Sequence, residues 1–140
     1  MASPDVLSPR VCDDRRVRPS VLIVDDHEAF RTSASALLEA EGFEVIGEAS
    51  NGATALEETE RLRPDLVLLD IRLPDLDGFA VAERIAAAGE PPAVVLISSR
   101  DAAVYGNRVK TARARGFIPK RELSGRRLAT LLDDAPSRQQ

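Results

Sequence analysis

The chain has 140 residues, 44% of them hydrophobic and 30% charged, with no Trp and one Tyr. That suffices for one domain with a real core and falls short of two full domains of about 100 residues each. No apolar run approaches the roughly 18 residues of a membrane span, the first nineteen residues hold no secretory hydrophobic segment, and the lone Cys12 excludes an internal disulfide and fits a reducing cytoplasm.

Residues 1–19 place Pro4, Pro9 and Pro19 among charges without apolar periodicity and read as a mobile tail. The domain is predicted to begin near Ser20 with the strand VLIV at 21–24. Phe30, Ala34, Leu37 and Leu38 then recur at helical spacing. FEVIGEA at 43–49 gives a second strand between Gly42 and Asn51-Gly52, and LVLL at 66–69 gives a third after Pro64. Beyond Pro74, Val81 and Ile85 mark a helix, and AVVLI at 93–97 follows Pro91-Pro92 as a fourth strand. Gly106 falls in the helix expected next and should weaken it by about 1 kcal/mol relative to Ala. GFIP at 116–119 is the fifth strand. Leu128, Leu131 and Leu132 end the domain near residue 133 in a helix capped by Ser124, and residues 134–140 read as a second tail.

Strands apolar on both faces and separated by helices imply a parallel sheet covered on both sides with right-handed crossovers. The expected fold is α/β, a three-layer doubly wound sandwich with five strands in the flavodoxin-like order 2-1-3-4-5. Ligands in such sheets bind beyond the carboxyl ends of the strands, where the order reverses. The first and third strands would be neighbours there, and each ends on acid: Asp25 and Asp26 on one, Asp70 on the other. Three carboxylates at close range repel and raise one another's pKa unless a cation is present. The all-oxygen donor set favours Mg²⁺ over Zn²⁺. Helix capping would explain one such Asp but accounts poorly for three. A metal beside a carboxylate suggests phosphoryl transfer with the carboxylate as nucleophile. Asp70 stands alone on the central strand and is the better candidate. Ser98 and Lys120, at the ends of the fourth and fifth strands, would supply the hydroxyl and the cation that a phosphorylated Asp needs.

These stretches, a strand ending in Asp25-Asp26, a strand ending in Asp70 with the LPDLDG loop, LISS ending at Ser98 and GFIPK ending at Lys120, resemble the receiver domain of two-component response regulators over residues 20–133. DDHEAFR and ARGFIPKREL look closest to receivers of LuxR-type regulators. The resemblance implies that Asp25, Asp26, Asp70 and the backbone carbonyl of Arg72 hold Mg²⁺, and that Asp70 accepts phosphoryl from a sensor histidine kinase. It implies further that Ser98 and Lys120 hold the phosphoryl oxygens and that Ser98 and Phe117 form the switch. The chemistry would be self-directed phosphoryl transfer and autodephosphorylation. The output would run to a partner or output domain through the face of the fourth helix, fifth strand and fifth helix. A cytoplasmic location is expected, with no membrane association and no direct nucleic acid binding by this domain; a homodimer stays open. Arg72 and Arg100, two residues past Asp70 and Ser98, lie where family members tune phosphoryl lifetime.

Other signals are weaker. Asp13-Asp14 follows no buried strand. His27 opens the first helix as a solvent-facing residue beside the acidic pocket rather than as a phosphoacceptor. DLDG at 75–78 lacks the distal Glu of a calcium loop, and Asp75 lies too far past its strand for a haloacid-dehalogenase nucleophile. A small-substrate phosphatase would need a cap domain for which no residues remain. Charge is uneven: residues 1–99 carry nine basic and nineteen acidic groups, residues 100–127 nine and two. A solvated helix face or a surface for an acidic partner would explain it. Two alternatives to a phosphorylation switch stay open: a receiver-like docking module without phosphorylation, and the receiver portion of a DNA-binding transcription regulator.

Overall fold

The computed structural model describes the backbone of residues 18–138 and the side chains of residues 18–133. Cys12, Asp13-Asp14 and all but the last two residues of the N-terminal stretch lie outside the described residues. Those last two are anchored: the Arg18 guanidinium donates to Glu39 and to the Phe43 carbonyl, and the Pro19 carbonyl accepts from Glu44 N–H at 2.9 Å.

The elements alternate along the chain as β1 (Ser20–Val24), α1 (Glu28–Ala40), β2 (Glu44–Ala49), α2 (Gly52–Leu62), β3 (Leu66–Asp70), α3 (Gly78–Ala86), β4 (Ala93–Ser98), α4 (Asn107–Thr111), β5 (Gly116–Pro119) and α5 (Gly125–Arg138). The strands form one parallel sheet in the order β2-β1-β3-β4-β5, so the doubly wound α/β architecture is as the apolar runs require. Helix α5 continues to Arg138, past residue 133.

The period-2 alternation of side chains divides the core. Val21, Ile23, Leu66, Leu68, Val95, Ile97 and Ile118 pack against Ala34 and Leu38 of α1 and Leu128 of α5. Leu22, Val24, Val67, Leu69, Val94 and Leu96 pack against Ala55 of α2 and Phe79, Val81, Ala82 and Ile85 of α3. β1, β3 and β4 are central and almost wholly buried, whereas β2 on the sheet edge is only half-buried. Each buried Leu or Ile of the central strands contributes about 1.5–3 kcal/mol.

Caps follow the turn chemistry. Asn51 accepts from Thr54 N–H at 2.8 Å to start α2, Asp77 accepts from Phe79 N–H at 2.7 Å to start α3, and Ser124 accepts from Arg127 N–H at 3.1 Å to start α5. The expectation for Gly106 is corrected. It does not interrupt a helix but precedes α4 with φ 59° and ψ −135°, a conformation closed to most residues with a Cβ. The segment divides there into a 3₁₀ turn, Ala102–Val104, and the short helix α4.

The basic stretch is partly paired. Arg108 pairs with Asp77, Arg113 with Glu83, Arg121 with Asp101 and Arg127 with Glu122. Asp101 and Glu122 belong to the stretch itself, so of these four pairs only those with Asp77 and Glu83 offset its excess charge; each exposed pair contributes only about 0–1 kcal/mol.

Candidate functional site

Register brings the acidic residues together. Val24 lies beside Leu69 in the β1/β3 ladder and Asp70 beside Ile97 in the β3/β4 ladder, so Asp25 and Asp70 leave adjacent strand ends. Ser98 pairs with Pro119, which places Lys120 just beyond Ser98 at the same edge. Asp26, Asp70, Arg72, Ser98 and Lys120 line one open cleft of about 420 Å³, with Asp25 buried beneath it. A larger groove of about 910 Å³ lies near the opposite strand ends, lined by residues such as Asp65, Pro92 and Ala93; it gathers none of the strand-end chemistry.

Asp25 is fully buried and Asp70 nearly so. Lys120 Nζ approaches both, at 2.5 Å from Asp25 Oδ2 and 3.4 Å from Asp70 Oδ2, and it also rests 4.6 Å from the centroid of the Phe30 ring. Asp25 Oδ2 is thus fully buried with the Lys120 ammonium as its close ion-pair partner. Asp25 Oδ1 accepts from His27 N–H at 2.7 Å, and Asp70 Oδ1 accepts from Arg72 N–H at 3.2 Å. Burial, and then the charge of Asp25, push the Asp70 carboxyl up to about 6, against the opposing pull of Lys120 and the Arg72 N–H.

That displacement has a sign that can be measured. A carboxyl raised in the folded state stabilises the fold when protonated, and the contribution is lost as pH rises from the ordinary value of 3.8 through about 6. Without divalent cation, Asp70→Asn should therefore be more stable than wild type at pH 7, by about 1–2 kcal/mol after allowance for solvent at the cleft mouth. The advantage should vanish below about pH 4. Urea denaturation at both values checks it; an equal advantage at both would show that ionisation of a buried carboxyl is not its cause.

Donor oxygens of Asp25, Asp26 and Asp70 and a nitrogen of His27 lie within 4.8 Å of one another. The crowded carboxylates and the oxygen-rich set fit a hard divalent cation. His27 is well exposed, as its sequence context implies, yet its Nδ1 turns to within 3.2 Å of both Asp25 and Asp26, closer to the cluster than sequence reasoning placed it.

Other residues escaped that reasoning. Asp75, considered in the sequence only as a calcium-loop or phosphatase residue and rejected as both, accepts from the N–H groups of Gly52 and Ala53 at 2.7 and 3.0 Å and so ties the loop after β3 to the start of α2. Gly78 packs directly on the acidic strand end: a Cβ there would lie 2.5 Å from the Asp70 carbonyl oxygen and 2.6 Å from Ile71 Cα. Both neighbours are backbone and cannot yield. Tyr105 reaches Ser98, with 2.7 Å between the hydroxyl oxygens. Only the DLDG stretch at 75–78 and the solitary Tyr hinted at these roles.

Fold and cleft together define a doubly wound α/β domain whose acidic pocket lies at the topological switch point, beyond the ends of β1 and β3. The chain belongs to the response regulator receiver domain family, whose sequence model matches residues 21–133. BvgA of Bordetella pertussis, named as a positive transcription regulator of virulence factors, is 40% identical over 102 residues, covering 73% of this chain and 49% of that protein. The transcriptional regulatory protein PdtaR of Mycobacterium tuberculosis is 35% identical over 120 residues, 79% of this chain and 58% of its own length. Among solved structures, the signal receiver domain of the response regulator NarL from Mycobacterium tuberculosis is 34% identical with a TM-score of 0.74, over 86% of this chain and 98% of that one. The chain thus spans about half the length of curated relatives that it matches. None of the described helices is long and apolar enough to cross a membrane.

Proposed function

We propose that the domain is a phosphorylation switch in which Asp70 accepts a phosphoryl group from the phosphohistidine of a sensor kinase. The observation that carries this reading is the placement of Asp70: buried at the end of the central strand, open to the cleft, and 3.4 Å from the Lys120 ammonium. With its pKa near 6, Asp70 is mostly ionised at neutral pH and available as a nucleophile. Its Oδ attacks phosphorus, the P–N bond breaks, and the electron pair returns to the donor imidazole. Lys120 and Ser98 hold the phosphoryl oxygens through charge-assisted hydrogen bonds. The same acyl phosphate then hydrolyses at this site, so the chemistry is directed at the domain itself and not at an external substrate.

Asp25, Asp26, Asp70 and the Arg72 carbonyl would hold Mg²⁺. When bound, the ion neutralises the carboxylates and the incoming phosphoryl oxygens. Arg72 lines the cleft, in keeping with that role. Weak Mg²⁺ binding is expected, with Asp26→Ala removing most of it because an exposed ligand is lost while the buried pair is left in place. Titration calorimetry checks this, and unchanged binding in the variant would remove Asp26 from the ligand set.

Receiver domains take phosphoryl groups from histidine kinases and connect to output domains. The named relatives are transcription regulators of greater length, which supports a role in transcription control through an output partner or domain that meets the face of α4, β5 and α5. Val104, the exposed large apolar side chain of that region, suits such a contact. A cytoplasmic location follows from this reading. Incubation with acetyl phosphate and Mg²⁺ tests the proposal as a whole: one phosphoryl group per chain, on Asp70, is expected.

A further inference from the structure

The hydroxyl of Ser98 is already committed. Ser98 is buried, and its Oγ accepts the Arg100 N–H at 3.0 Å. Its own proton needs an acceptor, because a buried hydroxyl left unpaired is costly. Among the described residues, the hydroxyl that shares a hydrogen bond with that of Ser98 belongs to Tyr105, with 2.7 Å between the oxygens and either able to donate, and no hydrogen bond joins Ser98 to Asp70. Alternation along β4 explains the arrangement: Ser98 shares the side of Val94 and Leu96, facing α3, whereas Asp70 shares the side of Leu66 and Leu68, facing α1 and α5.

The Tyr105 ring lies between two others. Its centroid is 5.8 Å from that of Phe79 in an edge contact and 6.2 Å from that of Phe117. Arg108 of α4 sits 4.3 Å from the Phe79 centroid and pairs with Asp77 at the start of α3. One phenol therefore touches the serine of the cleft, the aromatic of β5 and the ring that anchors α4.

We infer that Tyr105 is a positioning residue: its oxygen holds the Ser98 hydroxyl away from Asp70 in the resting domain, and its ring carries the release of that hydroxyl to Phe117 and α4. The inference rests on Asp70 being the phosphoryl acceptor. Phosphoryl oxygens are the stronger, charged acceptors, so Ser98 turns its proton to them and the contact with Tyr105 breaks. Phe117 has no hydroxyl with which to sense that turn; Tyr105 supplies one.

The chain contains one Tyr and no Trp, so its intrinsic emission reports Tyr105 alone. The test treats wild type, Tyr105→Phe, Ser98→Ala and the double variant with acetyl phosphate and Mg²⁺, following labelling by intact mass in all four and tyrosine emission in the two that keep Tyr105. In wild type the emission should change in step with labelling. In Ser98→Ala labelling should be slower, because one group that holds the phosphoryl oxygens is lost, and the labelled form should lack the emission change. Tyr105→Phe keeps the ring but frees Ser98, and should speed labelling about fivefold, the factor for one neutral hydrogen bond; the double variant should label at the Ser98→Ala rate. An emission that ignores labelling, a Tyr105→Phe rate equal to wild type, or an equal acceleration in the Ser98→Ala background would overturn the inference. Absence of labelling in wild type would instead overturn the phosphoryl-acceptor reading, and this one with it.

Discussion

Acetyl phosphate should add one phosphoryl group to the wild-type chain in the presence of Mg²⁺, far less in its absence, and none to Asp70→Asn. The expected effect is all or none because no other described acid combines the same features. Asp25 is sealed beneath Lys120 and takes no part in lining the cleft, while Asp26 lies at its rim beside His27. An amide at position 70 keeps the volume and the hydrogen bond from Arg72 N–H but cannot attack phosphorus. Mg²⁺ dependence follows from charge, since a dianionic phosphoryl donor must approach three carboxylates, with the Lys120 ammonium paired to both buried ones. Intact-mass measurement with peptide mapping reads the result. Labelling that survives Asp70→Asn, or that maps to His27, would show the acceptor to be elsewhere.

The second large effect is conformational. Phosphorylation adds about 1.5–2 negative charges beside Ser98 and Lys120, whose backbones lead into the loop before α4 and the turn after β5. Both segments rest on few buried residues: α4 and the 3₁₀ turns have none, and β5 has Ile118 alone. They should therefore open most readily. Amide hydrogen exchange in α4 and residues 116–121 should change on the order of tenfold between the two states, and by more than in any other segment. Ser98→Ala should still accept phosphate yet lose most of that change, because the hydroxyl that senses the phosphoryl group is gone. Uniform exchange in both states, or equal changes in Ser98→Ala, would favour a receiver fold that docks constitutively.

The larger features were legible in the chain. Four- and five-residue apolar runs bounded by Pro and Gly are local signals, and their alternation with helical spacing leaves few topologies once right-handed crossovers are required. The residues that terminate those runs are legible for the same reason: a strand end is a position in sequence before it is a position in space. Asp25, Asp26, Asp70, Ser98 and Lys120 could accordingly be named as candidates from the chain alone. The reading of Gly106 as a flaw within a helix failed because local propensity says nothing of backbone φ. The chain uses that glycine as a boundary between a 3₁₀ turn and α4.

By itself, the sequence determined the element order, the two-faced sheet and the list of polar groups at its carboxyl edge, because each is written in short-range periodicity. Only the tertiary structure decided how those groups are partnered. Lys120 reaches Asp70 across 50 residues and Asp75 reaches the start of α2 across 23; no local pattern encodes such pairings. Tyr105 meets Ser98 because a loop folds back over the α3 side of β4, and Gly78 is required where the chain presses against the Asp70 carbonyl. The basic stretch left a solvated face and a partner surface both open in one dimension, but in three Arg108 meets Asp77 and Arg113 meets Glu83, acids from another part of the chain. Charge and hydrogen-bond satisfaction depend on neighbours in space, and those are fixed only when the layers pack.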